Sequence, residues 1–302
     1  MIPIVKHRRI FYTISGILFV ASVLALFFWG LRLGIDFRGG SLLQIDFNAS
    51  RPSNNEIVQK LNGLNLGDIN VQPTGANGVI LRFRDIDEET HQKILISLGG
   101  PQALTEKSFE TIGPVIGQEL KTRAIYAIGL VLIMIVVYIA WAFRKVSKPV
   151  SSWRYGVATI IALLHDVVIP TGFFAALGYF FGVEIDLLFV TAILTVLGFS
   201  VHDTIVVFDR IRENLRKGVA KNFEDTVEIS VNQTLARSIN TSLVVLFTML
   251  AVYLFGGTTT HYFSLVLIIG LFCGTYSSIF IASTLLVSWE KYRQKRIPKK
   301  KL

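Results

Sequence analysis

The chain has 302 residues, of which 52% are hydrophobic and 17% charged, with a formal net charge of +9. That balance is too apolar for an ordinary soluble protein, and it is built from uncharged runs of the length that crosses a ~30 Å hydrocarbon core at about 1.5 Å per helical residue. The one cysteine, Cys273, lies in such a run, so an internal disulfide is excluded.

The first run, 10–31, is uncharged between Arg9 and Arg32. It is longer than a signal-peptide core and no small-residue cleavage site follows, so 1–35 reads as an N-terminus and a retained first helix. Residues 36–118 then read as a separate folded domain. Residues 40–47 alternate as a strand. Ser53 and Glu56 make a capping-box pattern that opens a helix to Leu61. Strands follow over 69–73 and 79–85, then a helix over 87–98 that Gly99, Gly100 and Pro101 end, then a short strand over 109–112. The order β-α-β-β-α-β predicts a ferredoxin-like split βαβ unit.

The span over 124–143 is uncharged between Arg123 and Arg144. The span over 155–183 is interrupted only by His165 and Asp166, and that over 187–208 only by His202 and Asp203. From 238 to 289 there is no Asp, Glu, Lys or Arg. That is too long for one span, and the segment from Gly256 and Gly257 to His261 divides it into helices over 237–256 and 262–288. The basic residues 210–221, continuing to 228, read as an amphipathic surface helix, and 289–302 as a basic tail. The fold class is thus an all-α polytopic membrane bundle of six transmembrane helices (119–288 holding the last five), with one external α+β domain between helices 1 and 2.

Lysine and arginine set the orientation. Lys6, Arg8 and Arg9 precede the first helix. Arg144, Lys145, Lys148 and Arg154 follow the second, and Arg210, Arg212, Arg216, Lys217 and Lys221 follow the fourth. Lys291, Arg293, Lys295, Arg296, Lys299, Lys300 and Lys301 fill the tail. Both termini are expected in the cytoplasm and the folded domain outside. The basic excess is then first an orientation signal, and no nucleic acid is expected as a partner; contact of the tail with anionic membrane lipid or ribosomal RNA is the lesser alternative. No GxxxxGK phosphate loop occurs, so direct ATP use is not expected. No catalytic triad can be assembled, and no cofactor or metal is expected.

Asp203 is expected roughly 8–10 Å inside the cytoplasmic edge of the membrane. A carboxylate there must be paired, hydrated or protonated, which suits a proton carrier; the alternative is a carboxylate that caps a helix or sits in a water pocket. Arg237 opens the fifth helix. By position it reads as a snorkelling arginine that sets orientation, and the alternative is a partner that holds an aspartate ionised, because arginine keeps its own charge. Asp166 lies as deep as Asp203 or deeper, and His165 and His202 repeat a His-Asp pair that could join a relay. Gly178 with Gly182, and Gly270 with Gly274, have the spacing for close helix packing.

Four segments resemble a known family: GIDFRGG (34–40), TIGPVIGQE (111–119), LGFSVHDTIVVFDRIREN (197–214) and TLARSINTS (234–242). They resemble the SecF family, partner of SecD in the SecDF protein-export complex and part of the RND superfamily of proton-driven transporters. The resemblance covers essentially the whole chain in order. It implies a six-helix half that pairs with SecD into a twelve-helix bundle, works with the SecYEG channel and with YajC-type and YidC-type membrane proteins, and uses the proton-motive force to move unfolded polypeptides. It also implies that Asp203 and Arg237 belong to a proton pathway, with Asp166 and His202 as further candidates. Two rival readings are an RND-type small-molecule efflux half-transporter and a non-transporting scaffold of the export machinery.

Overall fold

The computed structural model of the chain describes residues 1–143 and 151–296. The basic residues Arg144, Lys145, Lys148, Lys299, Lys300 and Lys301 lie outside the described residues. Among the described residues, six helices are long and apolar enough to cross a membrane. Contacts divide the chain into two compact units, one of them Leu33–Tyr126.

The chain opens with α1 (Arg8–Phe28), and then enters the smaller unit through a single helical turn, α2 (Ile35–Arg38). There follow β1 (Gly40–Phe47), α3 (Asn54–Leu61), β2 (Asn70–Thr74), β3 (Gly78–Phe83), α4 (Glu88–Leu98) and β4 (Leu104–Ile112). The strands form one sheet in the order β2-β3-β1-β4, with every neighbouring pair antiparallel. Alternation buries Leu43, Ile45 and Phe47 of β1 and Val79, Leu81 and Phe83 of β3. Ile57 and Leu61 of α3 and Ile94 and Leu98 of α4 join the same core. The capping box is complete: the Glu56 N–H donates to Ser53 Oγ, and the Ser53 N–H donates to the Glu56 carboxylate. The last strand is longer than its apolar part, because Leu104 already pairs with Phe47 and the whole of β1 supplies a template.

Glycine decides how the GIDFRGG turn meets the next helix, α5 (Pro114–Ala142). Gly39 and Gly40 have φ of 77° and 129°, the left-handed side that favours glycine. A Cβ on Gly39 would lie 2.7 Å from Pro114 Cα, and one on Gly117 would lie 2.7 Å from Gly39 N. Two sequence motifs 70-odd positions apart are therefore halves of one tight contact.

The membrane helices continue with α6 (Ser152–Phe181), α7 (Leu187–Lys217), α8 (Phe223–Phe255) and α9 (Thr258–Tyr276). A π-helical segment, Ser277–Ala282, then leads without a break into α10 (Ser283–Arg296). Three expectations are corrected here. The residues after 208 do not form a separate surface helix: α7 runs on to Lys217, held by the Arg210–Glu213 and Glu213–Lys217 pairs, and Gly218 ends it at φ 63°. Arg237 does not open a helix, because α8 starts at Phe223, where the Asn222 side chain accepts from the Asp225 N–H. The break after α8 is only Gly256 and Gly257, and the threonines and His261 already belong to α9.

Small residues set the helix spacing within this unit. A Cβ on Gly172 of α6 would fall 2.4 Å from Ser22 Cβ of α1. The N-terminal segment is seated as well: Ile4 and Val5 are buried, and their N–H groups donate to the Glu228 carboxylate at 2.7 and 2.9 Å. Glu224, one turn earlier on α8, pairs with Arg8 and Lys291.

Candidate functional site

Helix α7 is the spine of the polar interior. Its buried face repeats at helical spacing through Val196, Ser200, Asp203, Thr204 and Val207. Helix α9 lies close against that face because Gly270 and Gly274 lack side chains: a Cβ on Gly270 would meet Val196 Cγ2 at 2.3 Å, and one on Gly274 would meet Ser200 Cβ at 3.1 Å. Gly178 and Gly182 stand elsewhere. Gly182 is the left-handed cap of α6 at φ 70°, and both approach the Arg32 side chain, so they end a helix rather than bring two helices together.

Asp203 is buried, beside Val196, Ser200, Gly270, Gly274 and Thr275. The hydroxyl residues acting on its carboxylate are Ser238 and Ser242 of α8, and the ionisable side chains that bear on it are His202 and Arg237. Ser242 is itself hydrogen-bonded to Thr275 of α9, and the buried Ser238 Oγ has no well-formed hydrogen bond. Among the described residues Asp203 forms no ion pair with Arg237. Arg237 is exposed on α8, on the stripe that also shows Asn240, Thr241, Val244 and Phe247, and His202 is exposed on α7.

Asp166 is fully buried on α6 and better furnished with donors. Its Oδ1 lies 2.9 Å from His165 Nδ1, and its Oδ2 accepts from Ser200 Oγ of α7 and, at 2.7 Å, from Ser277 Oγ at the start of the π segment. The neighbouring Ser278 Oγ donates to the Ser200 carbonyl at 3.2 Å and lies 2.8 Å from Thr204 Oγ1. The structure thus brings Asp166 and Asp203 to one stretch of α7 through Ser200 and Thr204. Serine and threonine carry that link, and they escaped the sequence reading because they leave a run uncharged. Their signal was present as Thr275, Ser277 and Ser278 in one turn and Ser238 and Ser242 in the next helix. A π turn frees carbonyl groups and marks functional sites in many helices.

Among the described residues, six long apolar helices with ionisable side chains turned into the bundle define a multi-pass membrane protein. Residues 93–292 match the family described as protein export membrane protein SecD/SecF, C-terminal, and residues 24–50 match the SecD/SecF GG motif. The chain belongs to the SecD/SecF family. It is 49% identical to the protein translocase subunit SecF of Thermobaculum terrenum, over 96% of this chain and 94% of that one. It is 41% identical to the subunit of the same name from Anaerolinea thermophila, again over 96% of this chain and 94% of that one. Among solved structures it is similar to SecDF of Thermus thermophilus, a translocon-associated membrane protein, with a TM-score of 0.80 and 29% identity over 95% of this chain. The match to SecDF in its super-membrane-facing form has a TM-score of 0.70, with 30% identity over 99% of this chain. The chain spans 38% and 40% of those two longer chains.

Proposed function

We propose that this chain is the SecF-type subunit of an accessory complex that uses the proton-motive force to promote translocation of unfolded polypeptides through the Sec channel. It acts as a transport subunit of the cell's inner membrane, with both termini in the cytoplasm, and not as an enzyme. Residues 36–118 form its external domain, for which the antiparallel order β2-β3-β1-β4 under two helices supports a ferredoxin-like fold. SecYEG is the channel it serves, and YajC-type and YidC-type proteins are further neighbours. The reading draws on the match to SecF subunits along nearly the whole chain.

One observation carries the mechanism: Asp203 is buried among hydroxyls while Arg237 stands exposed on the neighbouring helix. Counted from the outer ends of their helices, Asp203 lies about 24 Å along α7 and Arg237 about 27 Å along α8. Their depths are similar. An arginine turned to lipid costs about 2.5–3.5 kcal/mol at mid-membrane and less near the edge. The exposed stripe of α8 is therefore the face for the SecD-like partner, whose helices would take Arg237 out of lipid. In the working cycle, ionised Asp203 draws on Arg237. A proton from outside neutralises Asp203 and releases the guanidinium, the helices shift, and the proton leaves inward. One charge crossing 100 mV supplies about 2.3 kcal/mol, enough to bias a two-state domain movement with a gap of that order. His202, exposed beside Asp203, and Asp166 are the further members of the pathway.

The test is Asp203→Asn in the assembled complex. Membrane insertion and partner binding are expected to persist while gradient-stimulated export falls to the rate seen without a gradient. Export that still responds fully to the gradient would sink this cycle. An efflux half-transporter would instead lose drug extrusion with export intact, and a scaffold would support export with no proton flux in vesicles.

A further inference from the structure

The cycle above names Asp166 as a member of the pathway but gives it no step. Asp166 is sealed from solvent, and among the described residues the one potential cation within ion-pair distance is His165. The pair is incompletely satisfied. His165 is buried, and its Nε2 has no hydrogen-bond partner among the described residues. With one proton on Nδ1, pointed at Asp166, the pair carries a net negative charge in a low-dielectric interior and leaves the Nε2 lone pair bare, and both features are costly. One more proton, on Nε2 or on the carboxyl group, cancels the charge.

The surroundings can accept that proton on the carboxyl group. Ser277 Oγ lies 2.7 Å from Asp166 Oδ2 and 3.1 Å from the Gly274 carbonyl. A hydroxyl has one hydrogen. While Asp166 is ionised, that hydrogen goes to Oδ2. When Asp166 carries the proton, its O–H donates to Ser277 Oγ, and Ser277 donates to the Gly274 carbonyl. Each hydrogen of the Asp166–Ser277–Gly274 chain keeps an acceptor in either arrangement, but the direction of the Ser277 hydrogen bond reverses at the first residue of the π segment. The other ionisable groups near the pair are Cys273 and Tyr276 of α9, the latter stacked on the His165 ring, and Asp203 of α7 a turn beyond Ser200. Helix α1 has no ionisable side chain after Tyr12, and Glu290 of α10 is paired with Arg154.

We propose that His165 and Asp166 form a second proton-binding site, separate from Asp203, whose protonation state sets the hydrogen bonding of the π-helical turn through Ser277. The proposal rests on the reading of this chain as proton-coupled. From Ser277 the change has a short path to the other site: Ser278 bonds both the Ser200 carbonyl and Thr204, next to Asp203. Asp166 is a positioning residue in this role, because it acts on Asp203 through the hydroxyl chain.

Infrared spectra of the full chain with its partner in lipid vesicles, titrated from alkaline to acid, read the carbonyl stretch of a buried protonated carboxyl group directly. One such band is expected to appear on acidification, to be absent in Asp166→Asn, and to persist in Asp203→Asn. Ser277→Ala, which removes a methylene-borne hydroxyl and keeps the carboxyl group, is expected to shift that band because its hydrogen-bond acceptor is gone. If no band depends on Asp166 at any pH, Asp166 does not take the proton and the reversal at Ser277 does not occur. If the band is unmoved by Ser277→Ala, the coupling to the π turn is wrong. The same vesicles report gradient-stimulated export. A missing Asp166 band with export still lost in Asp203→Asn refutes this site alone, whereas an Asp166 band with export indifferent to the gradient refutes the proposed function alone.

Discussion

The two units of this molecule solve opposite solvent problems. In Leu33–Tyr126 the core is aliphatic and aromatic, and the carboxylates stand outside, where they cap α3 and α4. In the helix bundle the order is inverted. Asp166, Asp203, His165 and a run of serines and threonines are buried, while Val244, Phe247 and Leu254 of α8 are exposed. The helices also differ among themselves: half of the apolar stretch of α6 and of α7 is buried within the chain, but 11% of that of α1, α5 and α8. Lipid accepts an apolar surface at no cost, so burial there does not track hydrophobicity, and polar groups turn inward because the interior alone can satisfy them.

That contrast predicts a graded set of outcomes. The largest is in the sheet unit, where Leu81→Ala should cost about 2–5 kcal/mol, while Val244→Ala on the exposed face of α8 should leave the stability of the isolated chain within error; denaturant titration in detergent of both variants compares them. Gly270→Val comes next, because its side chain has no room beside Val196, and about 1–3 kcal/mol is expected for forcing α7 and α9 apart. Adding Val196→Ala should recover most of that loss, and failure to recover would mean the close approach is not what Gly270 provides. A double-mutant cycle between Thr204→Val and Ser278→Ala should give a coupling of about 0.6 kcal/mol, the usual worth of a hydrogen bond between membrane helices.

The smallest effect is electrostatic and confined to the sheet unit. The Ser53 N–H holds the Glu56 carboxyl below its ordinary value, and the hydrogen bond with Thr90 does the same for Asp87. A carboxyl group depressed in the folded state adds stability above its unfolded value and loses it as the pH falls through the folded one. Hydrogen exchange at the first turns of α3 and α4 should therefore quicken modestly below about pH 4, and Glu56→Gln should blunt that response at α3.

Much of the fold was legible residue by residue. Alternation marked β1 to its ends, the Ser53 and Glu56 spacing marked the start of α3, and the uncharged runs marked the helices that suit a membrane. What was misread has a common cause. Charged residues were taken to end a membrane helix, yet α7 carries its own as i,i+3 and i,i+4 pairs that continue the same helix, and Glu224 in the first turn of α8 pairs with Arg8 and Lys291. Asp203 and Asp166 were visible because a carboxylate in an apolar run is conspicuous. The hydroxyls that join them were not, since a single serine in such a run satisfies itself on its own helix as readily as on a neighbour.

By itself, then, the sequence determined the number of apolar helices, the strands and caps of the sheet unit, and which acids fall in apolar runs, because each of these follows from local periodicity and solvent preference. The tertiary structure alone decided that Gly270 and Gly274 close α9 onto α7, that Gly182 only ends a helix, and that Asp166 is tied to Ser200 and Ser277 rather than standing alone. Those contacts join residues 34 to 111 positions apart. Local pattern cannot carry that information, because in a bundle the partner of a buried polar group is chosen by helix packing.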